Sequence, residues 1–446
     1  NILYSYYFNL YLNVDSYFYT LLLSLVPAIS ILFKSKDIKK VSIYFKIQTV
    51  ILGYFLLPAI ISLPYYLSIY NITFIDAYFE AISGFTSTGF TIFDNIKHLD
   101  ESLIIWRSSS QWIGGLYFLF SILLLIDIFD DNLKKTLTNF LSFNSSEIFK
   151  QFFKILVFYI FLTFIIFIIY NIFEIRSFNS LNLALTVVSS GGFLPSNNLA
   201  SILNSEIKTI MFSLTLLVSF FGLFFSYNIF VIKNKGLKSV QEDIYLLFYL
   251  FFLYSIFFIF SDKNIDFHYI FLAISSSVSN VGISLDKTTQ NFSFIFLMII
   301  IIGGSFFSTS SGLRFIKIYS LVKFSINELI SHSKPKNIFL NKLAFSDKNM
   351  NIEDFYKYFL TIIIFLFSLI ILSSILTISG YNVEESFKLS ILTLMNTVNS
   401  TMTGLNGFNF EETNYFLKYS LILFMIIGRV ELLTVLILCK KFFFKN

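Results

Sequence analysis

Long apolar runs alternate with short polar ones along the whole chain. A helix needs about 20 apolar residues to cross the roughly 30 Å hydrocarbon core of a bilayer. The first such run is 17–33, and others lie near 42–69, 102–129, 152–173, 208–232, 244–260, 291–322, 354–379 and 415–439. Between some of them sit shorter, half-polar stretches near 74–90, 178–192, 267–282 and 385–404. These are too short and too polar to span, and suit re-entrant segments in which a half-helix enters from one side and a loop returns. The order span, re-entrant stretch, span then occurs four times. It predicts an all-α polytopic membrane protein with four repeats at 41–135, 149–238, 241–330 and 352–446. Residues 1–40 carry extra N-terminal transmembrane helix, and because the chain begins at Asn1 rather than Met, part of an upstream helix is expected to be missing.

Composition narrows the function class. Hydrophobic residues make up 56% of the 446 and charged residues only 13%, about half the roughly 25% of a soluble domain. A water-soluble enzyme, a nucleic-acid binder and a disordered scaffold are thereby excluded. The single cysteine, Cys439, excludes a disulfide framework and a thiolate metal site. Phe, Ile, Asn, Lys and Ser are over-represented, as in an AT-rich coding genome, so one Phe among the 60 says little. The glycines, the prolines and the charges inside apolar runs say more.

Charge assigns the two faces. Basic residues cluster after every second crossing: Lys34, Lys36, Lys39, Lys40 and Lys46; Lys134, Lys135, Lys150 and Lys154; Lys233, Lys235 and Lys238; Lys334, Lys336, Lys342 and Lys348; Lys440, Lys441 and Lys445. That face is cytoplasmic by the positive-inside rule. The opposite face is acidic, with Asp94, Asp100, Glu101, Glu174, Glu206, Asp262, Asp266, Asp286, Glu384, Glu385, Glu411 and Glu412. These are either ordinary solvated loop charges or a vestibule that concentrates cations.

Each re-entrant stretch ends in a Ser/Thr/Asn-rich loop with a glycine. The loops read Thr86-Ser87-Thr88-Gly89-Phe90-Thr91, Val188-Ser189-Ser190-Gly191-Gly192-Phe193, Ser279-Asn280-Val281-Gly282-Ile283 and Thr401-Met402-Thr403-Gly404-Leu405. Irregular backbone at membrane depth is tolerated only where protein buries it or water lines it. Four such loops therefore point to one shared purpose. Glycine lets successive carbonyls face one way, and a ring of carbonyls can replace the water shell of a cation. The half-helices would aim their negative C-terminal ends at the same axis. One TxTG is weak evidence, whereas four loops at equivalent places in a repeat weigh together. The candidate ion-binding residues are Thr88, Gly89, Ser190, Gly191, Val281, Gly282, Thr403 and Gly404, flanked by Thr86, Ser87, Ser189, Gly192, Asn280 and Met402.

At these residues the chain resembles the Trk/Ktr/HKT superfamily of potassium transporters, and the bacterial Trk-type membrane subunit most closely. Residues 77–89, AYFEAISGFTSTG, are similar to the family's first pore helix and filter. Trp106-Arg107 with Gln111-Trp112-Ile113-Gly114-Gly115 is similar to the start of its next helix. Gly303-Gly304-Ser305, Ser308-Thr309 and Gly312-Leu313-Arg314 resemble its glycine-rich break, and Gly428-Arg429-Val430-Glu431 its final-helix signature. The resemblance runs from about residue 15 to the end. It implies a pseudo-fourfold arrangement of the four repeats around one central ion pore. It also implies a homodimer in the bacterial inner membrane with a cytoplasmic nucleotide-binding regulatory subunit. No cofactor is expected on this chain, K+ being the transported ion, and no nucleic acid. Each family filter centres on one glycine per loop, carried here onto Gly89, Gly191, Gly282 and Gly404. A serine at the first of these goes with sodium selectivity in plant relatives, so Gly89 favours potassium. The chain departs from the family in the fourth loop. Aligned on its asparagine Met402 takes the glycine's place, and aligned on TxTG Gly404 does, which is the preferred reading. Asn280 stands where many relatives have threonine.

Other residues carry competing readings. Arg429, with Glu431 two residues on, is either half of a structural ion pair or a cationic barrier below the filter. Arg314, Lys317 and Lys323 are expected to approach the cytoplasmic interface, Glu80 to anchor its helix, Trp106 and Trp112 to mark interfaces, and His98, His268 and His332 to be solvated. The run 303–312 holds three glycines and four serines inside an otherwise apolar span. Each glycine costs roughly 1 kcal/mol of helix stability relative to alanine, and serine competes for the backbone. The span is expected to break there into a gate formed by Gly303, Gly304, Phe306, Phe307, Ser308 and Gly312, with Arg429. A small-residue packing surface competes with this, but two adjacent phenylalanines spoil close packing. The expected function is potassium uptake through a gated, channel-like pore. A proton- or sodium-coupled symporter and a less selective Na+/K+ pathway are the alternatives. A membrane-embedded enzyme lacks a nucleophile–base pair at any suitable spacing.

Overall fold

The computed structural model describes residues 1–34, 42–125, 148–223, 241–260, 266–285, 292–331, 352–405, 408–430 and 434. Most of the basic clusters that oriented the chain, together with Glu431, His332 and Cys439, lie outside them. The described residues are almost wholly helical. After α1 (Ile2–Tyr7) and α2 (Val14–Lys34), the first repeat contains α3 (Ile43–Ile61), α4 (Leu63–Tyr66), α5 (Phe74–Phe85) and α6 (Glu101–Leu124). The second contains α7 (Ile148–Ile172), α8 (Ser177–Ser189) and α9 (Glu206–Phe220). The third contains α10 (Gln241–Phe260), α11 (Phe267–Val278) and α12 (Ser293–Ile301), followed after a break by α13 (Phe315–Ser331). The fourth contains α14 (Ile352–Ile378), α15 (Val383–Leu394) and α16 (Tyr415–Val430).

The chain is a multi-pass membrane protein. Four segments among the described residues are long and apolar enough to cross: Ile43–Tyr66, Lys150–Ile172, Glu242–Phe260 and Phe355–Ile378. Each opens a repeat. Their outer sides expose large apolar residues such as Phe153, Phe164, Phe251, Phe258 and Phe367, a surface suited to lipid and costly in water. The helices α5, α8, α11 and α15 fall on the four half-polar stretches. At 1.5 Å per residue, their 12 or 13 residues reach roughly 18–20 Å, short of a crossing.

Packing follows a cycle. The closing helix of each repeat lies against the short helix of the next: α6 on α8, α9 on α11, α12 on α15, and α16 back on α5. Small residues also let a closing helix approach the short helix of its own repeat. A Cβ added to Gly114 of α6 would stand 2.6 Å from the carbonyl carbon of Phe85, and one on Gly428 of α16 would stand 2.9 Å from that of Leu394.

Two apolar runs depart from the span pattern. The run 208–232 is not one helix: α9 stops at Phe220, and Phe221 is extended. The run 291–322 is helical to Ile301 and again from Phe315. Ile302–Gly303 then pairs in parallel with Leu313–Arg314, which pinches off residues 304–312 as a loop. The two departures have one cause, because the loop supplies hydrogen bonds to the end of α9, as described below.

The close approach at Gly114 gives a stability test. Gly114→Ala forces a methyl group against the Phe85 backbone, and overpacking of this kind costs about 1–3 kcal/mol. The variant should lose thermal stability in detergent, followed by size-exclusion chromatography after heating, while Ser24→Ala on the exposed side of α2 should not. An unchanged midpoint for Gly114→Ala would refute the packing described here.

Candidate functional site

The four short helices end in loops with one recurring backbone pattern. Its anchors are Ser83, Thr186, Ser276 and Leu392. Four residues after each anchor is a non-glycine residue at positive φ: Ser87 (60°), Ser190 (57°), Asn280 (58°) and Asn396 (48°). Serine and asparagine tolerate the left-handed region through local side-chain hydrogen bonds. The next residue returns its N–H to the anchor's carbonyl: Thr88 at 2.9 Å, Gly191 at 2.8 Å, Val281 at 3.0 Å and Thr397 at 2.9 Å. The sixth position is Gly89, Gly192, Gly282 and Val398. At the seventh, the Phe90 and Phe193 carbonyls accept from the anchor hydroxyls of Ser83 (2.6 Å) and Thr186 (2.9 Å).

This register differs from the one read on glycine. In the second loop Gly191 occupies the fifth position and Gly192 the sixth. In the fourth, residues 396–399 follow the short helix directly and carry the pattern, whereas Thr401–Thr403 is a separate 3-10 turn with Gly404 as its left-handed cap at φ 70°. Met402 is buried, its sulfur accepting from Ser277 Oγ at 3.6 Å. The structure thus sets Met402, Thr403 and Gly404 after the loop that matches the other three. The sequence marker of the matching loop is Asn396, which follows the short helix at positive φ, and not the TxTG at 401–404.

The loops touch in sequence. A Cβ on Gly89 would lie 2.7 Å from Gly192 Cα, and Asn197 bridges the segments after loops one and two, accepting from Ile96 N–H at 2.8 Å. Ser190 Oγ donates to the Ser279 carbonyl, joining the second loop to the third. Val398 N–H points at the Val281 carbonyl (3.4 Å), and Ser284 and Thr401 hydroxyls lie 2.6 Å apart, joining the third to the fourth. Asn396 Nδ2 donates to Thr88 Oγ1 at 3.0 Å, returning to the first.

Buried charges brace the ring. Glu80 of α5 accepts from Arg107 Nε at 2.8 Å and from Ile92 N–H at 2.9 Å, so it fixes the descending strand of loop one. The Arg107 guanidinium lies 4.2 Å from the Phe193 ring centroid in the second loop. Lys418 of α16 donates to Asp76 of α5 at 2.6 Å and to the Glu411 carbonyl at 2.8 Å. Gln111, with its amide oxygen turned to the second loop, accepts from Gly192 and Phe193 N–H at 3.0 and 2.9 Å. Trp106 and Trp112 donate inward, to the Ile61 carbonyl and to Thr163 Oγ1, both at 3.0 Å, so their polar edges serve helix contacts rather than a membrane interface. His268 is buried, contrary to the solvated position expected of it.

The loop 304–312 is packed against this ring. Ser305 and Ser310 N–H donate to the Phe220 and Ser219 carbonyls at 3.0 and 3.1 Å, and Leu223 N–H donates to Phe307 at 2.8 Å. Phe306 and Phe307 are buried. Thr309 Oγ1 donates to the Val188 carbonyl near the end of α8 at 2.8 Å. Arg314 is buried rather than interfacial, and its Nη1 donates to the Ser305 carbonyl (3.0 Å) and Ser308 Oγ (3.1 Å). Lys317 is buried too. Two carboxylates that the sequence reading passed over hold the other side. Glu242 accepts from Phe306 N–H (3.0 Å) and Ser305 Oγ (3.2 Å), and Asp243 from Gly222 N–H (3.0 Å). Arg429 joins loop and ring: it donates to Ser311 Oγ and, at 3.3 Å, to Ser87 Oγ, with its guanidinium 4.2 Å from the Phe118 centroid. None of the ion pairs among the described residues involves it.

No family model matches the chain. It is 24% identical over 406 residues to the Trk system potassium uptake protein TrkG of Escherichia coli, covering 84% of this chain and 80% of that one. It is 22% identical over 423 residues to TrkH of the same organism, covering 89% and 85%. An uncharacterized cation transporter of Methanocaldococcus jannaschii is 22% identical over 395 residues, covering 86% and 80%. The crystal structure of the potassium transporter TrkH from Vibrio parahaemolyticus superposes with a TM-score of 0.79 at 18% identity, over 97% of this chain and 98% of that one. The chain is Trk-like in sequence over most of its length and has the TrkH fold.

The Glu80–Arg107 pair is buried on both sides. Removing one partner of such a pair strands the other charge, at about 3–5 kcal/mol. Arg107→Ala should therefore sharply reduce folded protein in detergent, and Glu80→Gln with Arg107→Met together should recover part of it. If Arg107→Ala melts like the unsubstituted protein, the pair does not brace the first loop.

Proposed function

We propose that the chain takes up potassium through a pathway lined by the four loops, as the names of its Trk relatives suggest for those proteins. The observation that carries this reading is the shared backbone register of four loops that touch in cyclic order at the ends of four short helices. Helix C-termini carry roughly half a negative charge each, and backbone carbonyls in a ring can take over the coordination of a dehydrated cation. The protein would act in the inner membrane as a homodimer with a cytoplasmic nucleotide-binding regulatory subunit.

The segment 304–312 serves as the gate in this reading. It lies beside the ring, it is tied to the end of α8 through Thr309, and it shares Arg429 with the first loop. A cation held by serine hydroxyls and an aromatic face gives up less on moving than one paired to a carboxylate, since a hydrogen bond to a charged group is worth about 1.5–3 kcal/mol net and breaking a buried ion pair costs roughly 3–5 kcal/mol. Coupled transport by protons or sodium is the second reading, because passive and coupled members of the superfamily share these motifs.

The direct test is growth of a potassium-uptake-deficient bacterium on low potassium, followed by flux in liposomes. Expression should restore growth, and flux should reverse with the potassium gradient without a proton or sodium requirement. Failure to carry any cation would overturn the proposal, and a strict dependence on a second ion gradient would favour the symporter.

The gate has its own test. Arg429→Ala and deletion of residues 306–310 should each raise basal potassium flux several-fold while the protein still assembles. An assembled deletion variant that conducts no more than the parent would leave 304–312 as a packing element only.

A further inference from the structure

The four loops share one backbone register but not the residue at its sixth position. The sixth residue is glycine in the first three loops and Val398 in the fourth. Gly89 and Gly282 use φ values of 83° and 81° that a side chain resists, while Val398 is not among the residues at positive φ. The fourth loop therefore lacks the positive-φ turn of the first and third loops, at the level where those two loops and Gly192 of the second expose bare backbone.

The valine's surroundings show where its side chain goes. A Cβ built on Gly192 of the second loop would lie 2.6 Å from Val398 Cβ and 3.1 Å from its Cγ1. In the cycle of contacts, the second and fourth loops stand opposite one another. The isopropyl group thus reaches across the ring, and Gly192 meets Gly89 on one side and Val398 on the other. The backbone of Val398 is also engaged. Its carbonyl oxygen would lie 2.6 Å from a Cβ on Gly282, and its N–H faces the Val281 carbonyl at 3.4 Å. Val398 is half-buried.

We propose that Val398 is the residue that sets throughput and ion discrimination in this pathway, because its side chain occupies the centre of the four-loop ring. The inference rests on the reading of these loops as a cation pathway. A dehydrated cation is held by several oxygens at once. At this level one quarter of the ring offers a branched hydrocarbon, and the Val281 carbonyl is drawn to the Val398 N–H. A potassium ion must pass with part of its water shell kept, or wait until the valine turns aside. Both slow the ion and weaken the advantage of potassium over sodium, since discrimination depends on exchanging water for fixed carbonyls.

The experiment uses the full chain in liposomes loaded with potassium or sodium, with flux read by an ion-sensitive dye. Val398→Gly should raise potassium flux about tenfold and raise the potassium-to-sodium flux ratio. Val398→Ala should fall between, and Val398→Ile should lower flux below that of the unsubstituted protein. Equal elution and thermal stability of the variants establish that folding is not the variable. Conduction by the unsubstituted protein with no change of flux or ratio in Val398→Gly and Val398→Ile would overturn the role of Val398 and leave the pathway standing. Absence of any cation flux from the unsubstituted protein and from Val398→Gly alike would overturn both.

Discussion

Backbone that is neither helix nor sheet must find partners inside the protein when it lies at membrane depth, and that requirement organises this chain. Each of the four loops meets it with its own helix: Thr88, Gly191, Val281 and Thr397 return their N–H groups to carbonyls five residues back. The break at 302–314 cannot do this, and instead borrows from a neighbour. The last carbonyls of α9 have no helical partner, and Ser305 and Ser310 supply one for Phe220 and Ser219. A buried unpaired group costs about 1–3 kcal/mol, so the premature end of α9 and the pinched loop stabilise one another. Glu242 and Asp243 complete the pairing on the side that α9 leaves open.

The same requirement sorts the buried charges into two kinds. Arg107 and Lys418 face carboxylates at 2.8 and 2.6 Å and fix α5 to its neighbours. Such pairs are strongly held once formed, because separating them strands a charge. Arg429 is different: among the described residues it forms no ion pair, donates to two serine hydroxyls and lies against the Phe118 ring. One hydroxyl belongs to the loop 304–312 and the other to the first ring loop. A shift of either segment changes what the guanidinium touches, which gives the two a physical connection and not merely a shared neighbourhood.

Much of this was legible in the sequence, and the reasons differ by feature. The spans and half-helices follow from length and polarity: 12 residues ending in Ser, Thr and Asn cannot cross, whatever the packing. The break at 303–312 announced itself through glycine and serine. The early end of α9 did not, because Leu217, Phe220 and Phe221 continue an apolar helical pattern and the interruption comes from a loop some 90 residues away. The first and third loops were readable by glycine because positive φ there requires it. The fourth was not, because the marker of the register is Asn396, a residue that tolerates the left-handed turn, and not a glycine. Arg314, Lys317 and His268 were misplaced for a related reason: sequence position near a helix end says little about burial when the helix next to it is broken.

The ring is also less symmetric than its shared register suggests, and the asymmetry has a direction. In the first two loops an anchor hydroxyl, Ser83 or Thr186, grips the carbonyl of an aromatic residue seven positions on. The third loop has a serine anchor whose hydroxyl finds no partner among the described residues, and the fourth has Leu392, which offers no hydroxyl. Those two loops are tied to each other instead, through Val281 and Val398, Ser284 and Thr401, and Ser277 and Met402. One half of the ring is therefore braced from behind by its own helices, and the other half is braced loop against loop. Asn280 further links the second half to the end of α12, just before the break, donating to the Ile300 carbonyl at 2.7 Å. The loop 304–312 also reaches the first half, through Thr309 to Val188 and through Arg429 to Ser87, so the break is in contact with both halves of the ring. A single chain with four unequal repeats can in this way hold its loops by different contacts, which four identical subunits could not do.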